Sequence, residues 1–284
     1  ITAPQSAGGL GMNEIDLVLI LQEAGRVALP EPIVESVAVG LPLLAECNNV
    51  GLRDHWSSSV ISGESVISVG LEHSPYVAHA AQADLIIIQR DNELHALQTD
   101  QVRLIPQQSV DHSRKLFSVD YTRDSNTILA GGKEAQVLCA RAFNRGALGT
   151  AAFQLGVAQA MIDLTVEYTK VREQFGKPIG TFQAIKHMMS NALLRLEFAK
   201  PVVYRAAYSL STNHPDSDTH VSMAKIYGDE AAYKASKACL QAHGAIGYTF
   251  EHDLHLWMKR CWSLQQAWGN AAWHRERVGK AILD

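Results

Sequence analysis

A change of hydrophobic period near residue 130 constrains this chain more than any other feature. Beyond it, apolar residues recur three and four apart over long stretches. From Ile185, the positions Met188, Met189, Ala192, Leu196, Ala199, Val203, Ala206 and Leu210 keep the helical period. Pro201 falls inside that run, where it is expected to kink the helix or release one hydrogen bond. Asn213-His214-Pro215-Asp216 reads as a turn, and Asp218 as the cap of the next helix. That helix carries a small-residue stripe, Ala224, Gly228, Ala231, Ala235 and Ala238, which permits close helix–helix approach. Residues 133–284 are expected to form a bundle of long antiparallel helices.

The earlier residues follow other rules. Residues 1–45 open with Gly8-Gly9-Leu10-Gly11 and continue with Ile15, Val18, Leu19, Leu21 and Ala24 on one helical stripe. No strand precedes the glycine cluster, so it reads as a turn and not as a phosphate loop. Pro30 and Pro32 end the helix, and Val37 to Leu44 predicts a second short one. Between residues 50 and 125, Ser and Val alternate from Ser57 to Val69, and Ala83 to Gln89 is a compact apolar run. Asp91-Asn92 is turn chemistry, and Leu94–Leu97, Val102–Ile105 and Lys115–Tyr121 are further strand candidates. This spacing predicts a small antiparallel β module. The expected fold is α+β, mainly α: an N-terminal helical part (1–48), a middle β domain (49–132) and a C-terminal helical bundle (133–284).

Composition excludes several function classes. With 284 residues, one large domain or two to three modules are expected. A hydrophobic content of 47% against 19% charged residues rules out a disordered chain. Twenty-five basic residues against 29 acidic ones, a net charge of -4, give no electrostatic basis for nucleic-acid binding. No run of about 18 apolar residues predicts a membrane span. Cys47, Cys139, Cys239 and Cys261 are far apart, which fits neither a disulfide framework nor a zinc site and predicts a reducing, cytoplasmic setting. Ile1-Thr2-Ala3-Pro4 carries no secretory signal pattern, and the missing initiator Met leaves open a longer chain. His252, Asp253 and His255 match no common zinc spacing and read as a polar turn, so no metal is expected.

Two segments carry the functional information. One is Arg172-Glu173-Gln174-Phe175-Gly176-Lys177-Pro178-Ile179-Gly180-Thr181-Phe182-Gln183. The other is Leu240-Gln241-Ala242-His243-Gly244-Ala245-Ile246-Gly247-Tyr248-Thr249-Phe250-Glu251. Each joins a long helix to a glycine-containing turn and sets a guanidinium or amide beside exposed backbone donors. A guanidinium fork suits phosphate oxygens, and glycine amides can complete a pyrophosphate cradle. On composition alone, each segment is a turn or a ligand site.

Together the two segments resemble the acyl-CoA dehydrogenase family, whose C-terminal domain carries R-x-x-F-G-x-x-I-x-x-F-Q followed by Q-x-x-G-x-x-G-[YF]-x-x-E. Gly8 to Gly11 is similar to that family's N-terminal GGLG turn, and Ala83-Asp84-Leu85 and Asp111-His112-Ser113-Arg114 to its middle domain. The resemblance implies a helical domain, a β domain and a four-helix bundle. It also implies FAD, an acyl-CoA substrate and α,β-dehydrogenation, with a carboxylate base and the flavin as hydride acceptor. In that family, one subunit's bundle reaches its neighbour's flavin. The implied contacts are Arg172, Glu173, Gln174 and Phe175, then Phe182 and Gln183. The resemblance also implies that Gln241, Ala242, His243, Gly244 and Ala245 lie by the pyrophosphate, with Ala245 where the family usually has glycine. Asn270 with Ala271 and Ala272 matches the last flavin contact, with altered residues. An electron-transferring flavoprotein is the family's usual acceptor.

The departures from the pattern are equally informative. The family's base is a Glu before a Gly-Thr pair, and here Trp268 stands there, before Gly269-Asn270. The alternative base position on the first bundle helix holds Gly146, and Ala147 replaces the neighbouring CoA-contacting Arg. The T-E-x-x-x-G-S-D and N-G-x-K segments that hold the flavin ring are missing. Together these losses resemble the non-catalytic short subunit of heteromeric, α2β2, actinobacterial acyl-CoA dehydrogenases of steroid side-chain breakdown. The implied partner is a homologous catalytic subunit that shares the acyl-CoA substrate. Two alternatives stay open. One is a homomeric enzyme with Glu251 as base, although a helix-entry carboxylate paired with Lys259 or Arg260 is the plainer reading of that residue. The other is a flavin-free scaffold, against which the retained Arg172 and Gln241 count.

Overall fold

The computed structural model describes residues 1–5 and 8–283. Residues 1–17 with 30–149 form one compact unit, and residues 18–29 with 150–284 form another.

Helix α1 (Glu14–Arg26) starts in the first unit, where the Asn13 side chain accepts the Ile15 N–H at 2.9 Å, and continues into the second. A π-helical stretch, Val34–Gly40, then runs into α2 (Leu41–Glu46), which realises the helix expected over Val37 to Leu44. Helix α3 (Val50–Ser62) corrects the expectation of a strand starting at Ser57. The Asn49 side chain accepts the Leu52 N–H, and Gly63 closes the helix at φ 82°. The hydroxyls of Ser57, Ser59 and Ser62 bond carbonyls one turn back, so the alternating serines are absorbed by a helix.

Seven strands follow: β1 (Ile67–Gly70), β2 (Val77–Ala78), β3 (Leu85–Arg90), β4 (Glu93–Gln98), β5 (Val102–Gln107), β6 (Leu116–Tyr121) and β7 (Ile128–Gly131). They make a four-stranded sheet, β1-β3-β4-β7, and a three-stranded sheet, β2-β6-β5. The expected antiparallel arrangement needs one correction, because β1 pairs with β3 in parallel. The link between these two strands holds β2, which pairs in the other sheet, so no hairpin joins them. Asp91, at φ 55°, makes the tight β3–β4 turn with Asn92. Val77, Ile86, Ile88, Leu97 and Tyr121 pack with Val102, Leu104, Phe117 and Val119, so both sheets share one core. The buried Arg114–Glu35 pair, 3.3 Å apart, ties the β5–β6 loop to the π-helical stretch.

Helix α4 (Gly132–Val171) starts in the first unit and continues into the second. It is long and apolar enough to cross a bilayer by composition, but 78% of its most apolar window is buried inside the protein. Its apolarity therefore serves the core. After α4 come a small hairpin, β8 (Glu173–Gln174) and β9 (Lys177–Pro178), and helices α5 (Gln183–Ser211), α6 (Ser217–His243), α7 (Leu254–Leu264) and α8 (Ala271–Leu283). Helix α5 runs unbroken through Pro201. Asp218 is not the cap of α6 but a first-turn acid, paired at 2.5 Å with Arg277 of α8.

Glycines set the closest approach in this unit. A Cβ on Gly156 of α4 would lie 1.9 Å from the Gln22 carbonyl oxygen, and one on Gly25 of α1 would lie 2.1 Å from that of Phe153. No other residue fits at this crossing. The stripe on α6 works less tightly: at Gly228 a Cβ would meet the Ala151 oxygen at 3.0 Å. Lys225 and Asp229, one turn apart and buried, pair in the bundle core, and Gln154 donates to Asp229 at 3.3 Å. Burial pushes the Asp229 carboxyl up against the pull of Lys225.

Candidate functional site

The Arg172 segment begins where α4 ends. The Arg172 N–H donates to the Tyr168 carbonyl at 2.9 Å, and its own carbonyl accepts from Ile179 at 2.8 Å. Between these bonds, Glu173 pairs with Pro178 and Gln174 with Lys177. The loop is only Phe175-Gly176, with φ values of 54° and 76°. Both central residues at positive φ is the twist a two-residue hairpin requires. A phenylalanine held at positive φ and 92% exposed is unusual for a free surface. Its ring meets Phe182 edge-on at 6.1 Å, and Lys177 lies over the Phe182 ring at 4.7 Å. Gln183 then opens α5, whose first turn has no side-chain cap. That end carries the positive pole of the helix and spare backbone donors.

The second segment closes α6. Gly244 stops the helix at φ 66° and ψ −141°, a conformation restricted to glycine. Gly244–Tyr248 then form a 3-10 turn. Gln241, Gly244 and Ala245 face solvent, whereas Ala242 and His243 are buried. Both α4 and α6 present their C-terminal, negative ends here, so any anion must be held by side chains and by the α5 N-terminus. Among the described residues, the side chains of Arg172, Gln174, Gln183 and Gln241 have no protein partner.

One residue joins the two turns. Tyr168, in the last turn of α4, stacks on His243 with ring centroids 4.3 Å apart and planes at 19°. No linear motif signals this contact, because the partners lie 75 positions apart.

The Trp268 turn is built differently. Trp268 is 1% exposed and sits at φ 55°, followed by Gly269 at φ 83°. The buried His274 Nε2–H donates to the Trp268 carbonyl at 2.9 Å. Ser222 of α6 donates to His274 Nδ1 at 3.1 Å, since the neutral ring keeps its proton on Nε2. Burial pushes this imidazole down to about 4. Lys225 also reaches the Leu264 carbonyl at 3.3 Å, so α6 braces the approach to the Trp268 turn. The turn is thus filled by a buried indole, which offers only an N–H. Asn270 is exposed, and its side chain accepts the Trp273 N–H at the start of α8.

Gly146 and Ala147 are buried in α4 and offer no acid–base group. Glu251 is exposed, and the expected pairing with Lys259 or Arg260 does not form. Lys259 lies over the Phe250 ring at 4.2 Å, and Arg260 turns inward to the Leu29 carbonyl at 2.7 Å. Among the described residues, no cluster of three or more His, Cys, Asp or Glu is placed to hold a metal. The four cysteines are free and buried, and burial pushes Cys139 and Cys239 up to about 12, so none is a ready nucleophile.

The model of the acyl-CoA dehydrogenase C-terminal domain matches residues 137–283. The chain is 30% identical to the acyl-CoA dehydrogenase IpdE2 of Mycolicibacterium smegmatis over 95% of its own length and 79% of that protein. The ChsE4-ChsE5 complex from Mycobacterium tuberculosis superposes with a TM-score of 0.85 at 21% identity, over 99% of this chain and 84% of that one. The Tcur3481-Tcur3483 steroid ACAD superposes with a TM-score of 0.87 at 20% identity, over 100% and 84% respectively. Both superpositions are likenesses of fold. Together with the two matched turns of the bundle, the family match over residues 137–283 establishes that this chain belongs to the acyl-CoA dehydrogenase family.

Proposed function

We propose that the chain is the non-catalytic subunit of a heteromeric acyl-CoA dehydrogenase, contributing to the phosphate side of a flavin site whose catalytic base comes from a homologous partner. The observation that carries this reading is the contrast between Trp268 and Arg172. The place of the base is filled by a buried indole, while the guanidinium and three amides at the α4, α5 and α6 ends stay exposed and, among the described residues, unpartnered.

The cofactor of this family is FAD. The donor set fits its pyrophosphate: Arg172 supplies charge and a planar fork, and Gln174, Gln183 and Gln241 supply amides, while Gly244, with open space where a Cβ would stand, lets a ligand approach the α6 end. Glu173, Phe175, Phe182, Ala242, His243, Ala245 and Asn270 complete the two turns and the start of α8. When bound, FAD supplies the acceptor for the hydride leaving the substrate Cβ. This chain's own residues bind and orient. Trp268 cannot take up the α proton, so that proton passes to a carboxylate of the partner. The outer faces of α5 and α6 expose Leu194, Phe198 and Tyr227 around an apolar groove of about 880 Å³, which supports a protein partner. The likeness to a steroid ACAD supports a steroid carrying an acyl-CoA thioester as substrate class. The reading also includes an α2β2 assembly in the cytoplasm and electron transfer to an electron-transferring flavoprotein.

The test is flavin absorbance of the chain purified alone and co-purified with its partner. The expected result is little FAD on the single chain and stoichiometric FAD on the complex. Stoichiometric FAD on the single chain overturns the proposal.

A further inference from the structure

We propose that Tyr168 is a positioning residue that sets the spacing between the Arg172 turn and the Gly244 turn. The inference rests on the flavin-phosphate reading above and adds a residue that neither motif contains. The Tyr168 carbonyl accepts the Arg172 N–H at 2.9 Å, so its backbone anchors the start of the first turn. Its phenol O–H reaches the His243 carbonyl at 3.5 Å, in the residue that leads into Gly244. Its ring lies nearly parallel to that of His243 at 4.3 Å. One residue therefore touches both turns, the first through its backbone carbonyl and the second through its ring and phenol.

The stack is fixed from two further sides. His243 is buried, and its Nδ1–H donates to the Cys239 carbonyl at 2.8 Å, which locks the ring to the last turn of α6. Burial lowers its basicity, so it stacks as a neutral ring. His252 packs edge-on against His243 at 4.4 Å and against Tyr168 at 5.7 Å. Its Nδ1 accepts the Leu254 N–H at 3.2 Å, tying this third ring to the start of α7. Tyr168 is only half-buried, and its stack lies at the end of the bundle, away from the Lys225–Asp229 core. Such a contact adds little to global stability but determines where Arg172 and Gly244 stand relative to each other. A phosphate that bridges both turns is sensitive to that distance.

The experiment measures FAD dissociation by flavin fluorescence, and melting temperature, in the complex with the catalytic partner. Four proteins are compared with the parent: Tyr168→Leu, Tyr168→Phe, Arg172→Ala and the double variant Tyr168→Leu/Arg172→Ala. Removing the ring in Tyr168→Leu should weaken FAD binding about tenfold with little change in melting temperature. Tyr168→Phe keeps the stack and should stay close to the parent. The double variant should lose less than the product of the two single losses, because both act on one phosphate contact. If Tyr168→Leu fails to assemble, His252→Ala, which removes the third ring, takes its place with the same expectations. A weakened Arg172→Ala beside an unaffected Tyr168→Leu, or fully additive losses, overturns the positioning role. An unaffected Arg172→Ala overturns the phosphate reading beneath it.

Discussion

The Arg172 and Gly244 turns and the Trp268 turn belong to the same bundle yet are built in opposite ways. The first two leave charged and amide groups in solvent, without partners among the described residues, and hold Phe175 in an exposed, strained position. The third is closed: its indole is buried, and its carbonyl is held by a buried imidazole that is braced in turn by Ser222. Unsatisfied donors at a surface suit a ligand, whereas a satisfied, dry turn suits only stability. The open turns are the ones proposed to bind the flavin, and the closed turn is the one proposed to have lost the base.

The largest test of this contrast is Trp268→Ala. Truncating a fully buried aromatic should destabilise the chain by about 3–5 kcal/mol, read from urea unfolding. A loss below about 1 kcal/mol would mean that the indole is not core and that the turn is less closed than its burial implies.

Next comes pH. The folded His274 imidazole lies at about 4 against an ordinary 6.5. Above 6.5 the ring is neutral in both states and contributes no pH dependence. As pH falls from 6.5 towards 4, the unfolded chain takes up a proton that the folded chain refuses. Stability therefore drops across that window, by up to roughly 3 kcal/mol. A His274→Gln variant should show a shallower decline in thermal unfolding measured from pH 7 to 4. Identical slopes in parent and variant would remove His274 as the brace of the closed turn.

On the open side, Arg172→Ala should weaken FAD retention in the complex tenfold or more, since a charge-assisted phosphate contact contributes about 1.5–3 kcal/mol. Unchanged affinity in a flavin titration would show that the guanidinium points elsewhere.

The smallest expected effect is that of Glu251→Gln. The carboxylate is exposed, so acyl-CoA-dependent dye reduction by the complex should stay within about tenfold of the parent. Loss of a true general base would instead lower turnover about 10²–10⁴-fold. Such a collapse with FAD still bound would move the chemistry into this chain.

Much of this contrast is legible in the residues themselves. The two turns proposed to face the flavin are short-range features: a helix end, a glycine at the right offset and a polar side chain beside it. Helices α5 and α6 follow from apolar spacing that holds over several turns. Local patterns give way where a longer-range constraint meets them. Alternating Ser and Val from Ser57 resembles a strand, but the Asn49 cap and Gly63 close a helix across it. The parallel β1–β3 pair depends on a strand brought back after β2 has joined another sheet. Lys259 and Arg260 are near Glu251 in sequence, yet one covers Phe250 and the other turns into the bundle.

The sequence by itself determined which chemistry is available. An indole at 268, a glycine at 146 and an alanine at 147 are covalent facts, and no folding can make them bases. It also set the helical phases, because side-chain period is a property of the backbone. Tertiary structure alone decided that Trp268 faces inward, that Tyr168 meets His243 across 75 positions, and that the Arg172 side chain has no partner among the described residues. Those outcomes depend on distances between residues remote in the chain, and only close packing of the helices determines such distances.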